Sequence, residues 1–334
     1  MAKTNCPWQG KVTNHAQIGG IELATLENGA GRGTRIANVN TGTGLRYKIL
    51  IDRACDISDA FFNQYSLCWH SHGGVTAPSP AKKPGLEWLY SFFGGLVATC
   101  GLSHIGGPTA EEGLHGRIGN QPAELVSIIQ PDIAAGKLDM SITAIIKESK
   151  VFGPSLELKR TISSTLGKST IKICDVVTNR ANTLSLLKLL YHCNFGWPLV
   201  DEGADIIYNG KCTSFGRDCD NELFKSKHNY KKIPAPLETH RGSGEACGFI
   251  DVKPDKNGVC TTGIVNRKLG LSAMIKFKKK QLPYLTNWQH FGPGEYVTGL
   301  EPGTNLPFDM GEKKIFLKPQ ESKTFELEFE IGNK

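Results

Sequence analysis

The chain lacks any long apolar segment, although 39% of its 334 residues are hydrophobic. A membrane-spanning helix needs about 18 or more consecutive apolar residues, and no window of the sequence approaches that length. The opening residues, MAKTNCPW, also lack the apolar stretch of a secretory signal. We therefore expect a soluble cytoplasmic protein that has no membrane partner.

Cysteine pairs with the spacing of metal sites are missing as well. Ten cysteines are scattered along the chain, and none of them forms a C-x-x-C motif. Cys212 and Cys219 are also spaced unlike the ligand pairs of structural zinc sites. In a chain without a secretory signal, this pattern predicts reduced thiols that pack as small apolar side chains.

Nucleic-acid and nucleotide motifs are absent too. The net charge of +7 is spread thinly, and the lysine-rich runs at 225–232 and 276–280 lack aromatic residues at stacking intervals. The glycine clusters at 29–33 and 292–294 do not follow the G-x-G-x-x-G spacing of dinucleotide-binding loops. We expect no nucleic-acid partner and no cofactor.

Alternation of apolar and polar residues with a period of two dominates the sequence, and helical periodicity is sparse. The best helical candidate is Pro84 to Phe93, where Leu86, Leu89 and Phe93 would share one face. The pattern predicts an all-β protein: a large antiparallel β-sandwich with few short helices, formed by one domain over 1–334 with 1–20 as a lead-in. Strands are predicted at 45–51, 138–146, 156–162, 171–177, 271–277 and 325–331, with a hairpin turn at 166–169.

Three short polar segments stand out from the strands. His115 lies between glycines in Gly113–Arg117, and His192 follows the apolar run 184–190 directly. Glu301 ends an apolar strand and precedes a Pro-Gly turn, which places its carboxylate at a sheet rim or in a cleft. Each residue alone is typical of a structural position, so the order of the three matters more than any one of them.

In this order the segments resemble the motifs of the aldose 1-epimerase family, whose fold is the galactose mutarotase-like β-sandwich. The similarity extends from about Leu45 to the C-terminus and lies in the phrases GLHGR, YHCNFGWPL and YVTGLEPGTN. The further phrases DRACDI and FFGGLVATCG match a divergent branch of that family. The resemblance implies an enzyme that interconverts sugar anomers, with Glu301 as the base, His192 as the acid, and His115 binding near the ring oxygen.

Exchange of anomers requires the sugar ring to open and close. A base takes the proton of the C1 hydroxyl while an acid protonates the ring oxygen, and the transfers reverse after rotation about the C1–C2 bond. At pH 7 this scheme requires an ionised Glu301 and a charged His192, and we expect their proximity to favour both states.

Sugar recognition usually needs a stacking aromatic ring and several fixed hydrogen-bonding groups. Trp288 is the predicted stacking ring, although a core position fits its pattern equally well. Arg53 is predicted either to bind sugar hydroxyls or to pair with Asp56 at the surface. The other predicted contacts are Asn194, Asp201, Asn305 and Arg117.

Two alternatives remain open. His70 and His72 lie two positions apart, and with His104 and His115 they suit a metal-dependent sugar isomerase. A non-catalytic carbohydrate-binding or regulatory protein on the same fold is the second alternative, but a pure binder has no need for a carboxylate such as Glu301. We favour a metal-free enzyme with a small sugar substrate; the identity of the sugar and the pairing of two copies as a homodimer stay open.

Overall fold

The computed structural model describes residues 7–81, 83–225, 230–308 and 311–333, and strands dominate these ranges. Among the described elements are the α-helix α1 (Asp218–Phe224) and short 3-10 helices at His15–Gln17, Gly29–Gly31, Glu87–Ser91, Ile118–Asn120 and Glu238–His240. The strands are β1 (Gly20–Thr25), β2 (Arg35–Asn40), β3 (Leu45–Leu50), β4 (Asp56–Phe62), β5 (Tyr65–Ser66), β6 (Ala98–Leu102), β7 (Glu124–Ile129), β8 (Asp139–Ser149), β9 (Ser155–Thr165), β10 (Thr170–Asn179), β11 (Ser185–Gly196), β12 (Asp205–Tyr208), β13 (Gly210–Ser214), β14 (Ala246–Val252), β15 (Val259–Asn266), β16 (Leu271–Lys278), β17 (Tyr284–Gly292), β18 (Glu295–Gly303), β19 (Ile315–Leu317) and β20 (Ser322–Asn333).

The described strands form three antiparallel sheets. The first has the order β1-β2-β3-β4-β5, and the second has the order β12-β15-β16-β20-β10-β9-β8-β7. The third has the order β13-β14-β17-β18-β11-β19, and β6 also pairs with β11. The prediction of an all-β antiparallel sandwich with few helices is confirmed, and each strand predicted from alternation is present.

The alternation of β20 shows why this sequence forms strands. Its four apolar side chains point into the core, while Glu326 and Glu330 on the other face form ion pairs with Lys278 and Lys276 of β16. Burial of each large apolar side chain contributes about 1.5–3 kcal/mol, whereas an exposed ion pair contributes about 1 kcal/mol at most. The core face therefore determines the register. Its buried residues are Phe325, Leu327, Phe329 and Ile331.

The helix predicted at Pro84 to Phe93 is wrong. The structure has only the 3-10 helix Glu87–Ser91 there, and Trp88 of this helix and Phe92 directly after it are buried rather than the predicted leucines. Leu86 and Leu89 are 57% and 53% exposed. The two aromatic rings bury more apolar area than two leucines, and so short a helix can turn only one side inward.

A buried charge network explains the DRACDI phrase. The guanidinium of Arg160 lies between Asp56 and Asp175, at 2.8 and 2.6 Å. Asp56 also accepts a hydrogen bond from the backbone N–H of β6, and Asp175 accepts one from the Tyr191 hydroxyl at 2.8 Å. The network connects β4, β6, β9, β10 and β11, and it fixes Tyr191, the residue next to His192.

Every cysteine in the described ranges is a free thiol, as predicted, whereas Cys6 lies outside them. No helix in the described ranges has both the length and the apolarity needed to cross a membrane.

Candidate active site

Strand pairing brings His192 and Glu301 face to face. In the antiparallel pair of β11 and β18, Cys193 lies opposite Leu300 and Leu190 lies opposite Gly303, so the same register sets His192 opposite Glu301. Nε2 of His192 lies 3.3 Å from Oε1 of Glu301. The two residues are only 5% and 3% exposed, so the structure forms a buried imidazole–carboxylate pair from two motifs far apart in sequence.

Gly299 leaves the space that the Glu301 carboxylate occupies. A Cβ atom at this position would lie 2.4 Å from Oε1 of Glu301 and 3.3 Å from Cβ of Trp288. The neighbouring Leu300 points to the opposite face and packs in the core. The Gly-Leu-Glu phrase therefore combines an open space, a core anchor and a carboxylate.

His115 approaches His192 from a separate loop. Its backbone is in the left-handed region, with φ of 58°, and its ring centroid lies 5.7 Å from that of His192 in an edge-to-face arrangement. The backbone N–H of Gly106 donates a hydrogen bond to Nδ1 of His115 at 3.4 Å. Because Nδ1 accepts, the proton of the neutral ring lies on Nε2, which is then available as a donor.

Aromatic rings surround the pair. The ring centroids of Phe92, Trp288 and Trp88 lie 5.1, 5.4 and 6.3 Å from that of His192. Trp69 packs against Trp288 at 6.2 Å. The structure thus brings Trp288 to the site, as the sequence predicted, but Trp88, Phe92 and Trp69 were missed because no motif distinguishes them from core residues.

Four buried polar atoms in and around the pair make no hydrogen bond of good geometry, although one of them, Oε1 of Glu301, lies 3.3 Å from Nε2 of His192. They lie on neighbouring positions of one sheet face: Asn194 is two residues after His192 on β11, and Thr286 of β17 lies directly opposite Glu301. A buried polar group without a partner costs about 1–3 kcal/mol, so a ligand with hydroxyl groups would relieve this cost. Thr286 was missed because a lone threonine within a strand carries no sequence signal. The four atoms are His192 Nδ1, Asn194 Oδ1, Thr286 Oγ1 and Glu301 Oε1.

Burial determines the charge state of the pair. Desolvation, and secondarily the nearby carboxylate of Glu245, raises the pKa of Glu301 well above its usual value. Desolvation lowers the pKa of His192 to about 4, and desolvation followed by proximity to His192 lowers the pKa of His115. The expectation that proximity favours two charges is wrong, because the loss of hydration outweighs the attraction.

Arg53 has different surroundings from those expected. It is 2% exposed, and its guanidinium donates hydrogen bonds to the carbonyl oxygens of Gly119, Thr76 and Ser91. The predicted surface pair with Asp56 is not formed, since Asp56 binds Arg160 instead. Through Ser91, Arg53 holds the end of the 3-10 helix that carries Trp88.

The three other predicted sugar contacts, Asn305, Arg117 and Asp201, have different surroundings in the structure. Asn305 is buried just after β18, where its Oδ1 accepts a hydrogen bond from Thr304. Arg117 follows the His115 loop, and its Nε makes no hydrogen bond although Glu112 lies 3.8 Å away. Asp201 lies near the hydroxyl of Tyr296, whose pKa it raises together with burial. Tyr296 and Glu301 are five residues apart on β18, which corresponds to about 16 Å along the strand.

The histidines considered as ligands of a metal-dependent isomerase have separate partners in the structure. His70 is 3.8 Å from Asp59, His72 is 3.1 Å from Glu295, and His104 contacts the carbonyl of Gly107 at 2.8 Å. Within residues 7–81, 83–225, 230–308 and 311–333, no three His, Cys, Asp or Glu side chains converge as metal ligands would.

The protein-family comparison gives a match over most of the sequence. The profile of a family described as "Domain of unknown function (DUF4432)" covers residues 31–331. The chain belongs to the DUF4432 family. No curated protein matches this DUF4432 chain significantly.

Solved structures similar to this DUF4432 protein share its architecture. A "putative aldose 1-epimerase" from Klebsiella pneumoniae is 25% identical with a TM-score of 0.83, over 93% of this chain and 83% of that one. A galactose mutarotase-like protein from Clostridium acetobutylicum is 13% identical with a TM-score of 0.63, over 94% and 98% of the two chains. A galactose mutarotase related enzyme from Lactobacillus acidophilus is 13% identical with a TM-score of 0.55, over 93% and 98%. The galactose mutarotase-like fold implied by the motifs is therefore confirmed.

Proposed function

We propose that this DUF4432 protein is an aldose 1-epimerase that interconverts the α and β anomers of a free or simply modified sugar. The observation that carries the proposal is the direct opposition of His192 and Glu301 at 3.3 Å, among buried polar atoms without partners. Hydroxyl groups of a sugar are both donors and acceptors, so one ligand class suits all four atoms. The fold shared with aldose 1-epimerase-like structures supports the same reaction.

The pair holds one mobile proton. Before a sugar binds we place that proton on Glu301, because burial raises the pKa of Glu301 and lowers the pKa of His192. Sugar hydroxyls that donate to the Glu301 carboxylate replace its lost hydration, which favours transfer of the proton across the 3.3 Å gap to His192. The bound site then contains a carboxylate base and an imidazolium acid.

The chemical steps use these two groups in concert. Glu301 takes the proton of the C1 hydroxyl while His192 protonates the ring oxygen, so the C1–O5 bond breaks and an aldehyde forms. After rotation about C1–C2, the C5 hydroxyl adds to the other face of C1 and the two protons return. The Nε2–H of His115 donates a hydrogen bond near the ring oxygen, and general acid and base catalysis contribute about 10²- to 10⁴-fold each.

The aromatic rings bind and enclose the sugar. Trp88 and Trp288 offer flat apolar faces to the C–H groups, while Asn194 and Thr286 bind hydroxyls. The pair is almost fully buried, and Trp88 of the Glu87–Ser91 helix is one of the rings that enclose it. This enclosure would exclude water from the open-chain aldehyde.

Exchange spectroscopy by NMR tests the proposal directly. The purified protein is added to equilibrated aldoses, deoxy sugars and sugar phosphates, and the exchange rate between the α and β signals of C1 is measured. We expect faster exchange for at least one sugar and none in a His192→Gln variant. Sugar binding without acceleration across the whole panel would instead support a binding protein and would reject the enzyme.

A further inference from the structure

His290 is a buried histidine beside the site that the proposed proton transfers do not use. It lies on β17 two residues after Trp288, and it is 5% exposed. Its ring is nearly parallel to the indole of Trp288, at an interplanar angle of 10° and a centroid distance of 6.1 Å. Any change at His290 is therefore transmitted to a wall of the site.

Both ring nitrogens of His290 face oxygen atoms that accept hydrogen bonds. Nδ1 lies 2.5 Å from the carbonyl oxygen of Gly244, and Nε2 lies 2.9 Å from Oε2 of Glu295. A carbonyl oxygen can only accept, so Nδ1 must carry a proton. The other oxygen of Glu295 lies 3.1 Å from Nδ1 of His72, so this carboxylate lies between two imidazoles and is best satisfied as an anion.

We infer that His290 is an imidazolium, with a proton on each nitrogen, and that it is a positioning residue for the Trp288 wall of the site. The facing groups agree with one buried positive charge. Glu295 and the Gly244 carbonyl accept from it, and the exposed His72 lies beyond Glu295. His240 stacks on it at 6.3 Å, and the pKa of His240 is lowered by burial first and by His290 second.

The link to the site passes through two consecutive residues of one loop. Gly244 is bound by His290, and the next residue, Glu245, accepts a hydrogen bond from the indole N–H of Trp288 at 2.8 Å. The second oxygen of Glu245 binds Arg217 at 2.8 Å. Positions 288 and 290 of β17 therefore hold this loop at two points, and loss of the charge on His290 weakens one of them, because the Nδ1–H···O bond to Gly244 is then no longer charge-assisted.

Glycine is required where His290 binds the loop. A Cβ atom at position 244 would lie 2.2 Å from the carbonyl oxygen of Thr239 and 2.5 Å from Cα of His240. The loop is thus tightly packed against the 3-10 helix Glu238–His240, and small displacements of Gly244 move Glu245. Because Glu245 also raises the pKa of Glu301, the position of this loop affects both the aromatic wall and the carboxylate.

Nitrogen-15 NMR of the imidazole side chains tests the charge, and it needs no enzymatic activity. The His290 signals are assigned by their loss in His290→Asn, in which the amide can still donate to Gly244. We expect both nitrogens of His290 to be protonated at neutral pH, and Nε2 to lose its proton in Glu295→Gln. A wild-type His290 with one bare nitrogen would overturn the inference.

Binding and kinetics test the positioning role of His290. This role rests on the proposed function in one respect: a sugar must contact Trp288. Glu295→Gln should raise the KM of the sugar about tenfold with kcat changed less than about twofold, because the proton-transfer groups stay in place. Glu328→Gln, on the exposed face of β20, is the matched control. If the wild type shows no turnover, the dissociation constant of the sugar replaces KM, so failure of the enzyme proposal does not hide the result. An unchanged KM or dissociation constant in a Glu295→Gln variant that has lost the Nε2 proton would overturn the positioning role.

Discussion

Replacement of Gly299 by alanine should displace the Glu301 carboxylate, the proposed base, while it leaves the fold intact. The new Cβ would lie 2.4 Å from Oε1 of Glu301, and an ordinary contact is about 3.5 Å, so the carboxylate must move about 1 Å. The backbone at Gly299 is not in the left-handed region, and alanine is tolerated there. A displacement of about 1 Å in a catalytic group lowers the rate about 100-fold.

The assay combines the anomer exchange rate with thermal unfolding. The new Cβ displaces the end of the Glu301 side chain and lies 3.3 Å from Cβ of Trp288, which must shift by a few tenths of an ångström, so we expect a loss of about 1 kcal/mol in the free energy of unfolding. Gly332→Ala is the control, since that glycine is also on a strand and a Cβ there meets no atom within 4 Å. Exchange at the wild-type rate in Gly299→Ala, or an equal loss in Gly332→Ala, would refute the assignment of Glu301.

Three further predictions address binding and stability. Thr286→Val should raise the KM of the sugar about tenfold. In urea unfolding the free protein should be as stable as the wild type or about 1 kcal/mol more stable, because the change removes a buried hydroxyl without a partner. A destabilised variant would contradict this prediction. Tyr191→Phe should lower the free energy of unfolding by about 1.5–3 kcal/mol, since the buried Asp175 loses a hydrogen bond. An unchanged urea midpoint would show that the buried charge network around Arg160 is not cooperative. The pKa of His192 falls from 6.5 in the unfolded chain to about 4 in the folded chain. Between these two values the unfolded chain binds a proton that the folded chain does not bind. The free energy of unfolding therefore falls by about 3 kcal/mol as the pH decreases from 7 to 4. His192→Gln should show a correspondingly smaller loss over that range.

The strands could be predicted because their signal is local. Alternation in segments such as 271–277 and 325–331 reflects one buried and one exposed face, and burial of that face decides the structure. The helix at 84–93 failed for the opposite reason. Its conformation is decided by Trp88 and Phe92 packing against residues far away in sequence, which a local pattern does not contain.

The site could be predicted only where a motif marks it. His115, His192 and Glu301 were found through short phrases, and the strand register brings the last two together. Thr286 became visible only through pairing with Glu301, and Arg53 turned out to bind backbone carbonyls. The charge state of the pair was mispredicted, because desolvation depends on how completely neighbouring side chains exclude water.

The anomer exchange rate of Glu301→Gln tests the central claim most directly. Glutamine preserves the shape of the side chain but cannot accept the C1 hydroxyl proton as a base, and Glu328→Gln, on the solvent-facing side of β20, serves as the control. We predict that Glu301→Gln abolishes exchange and still binds the sugar with an affinity close to that of the wild type. Wild-type exchange in that variant would contradict the account.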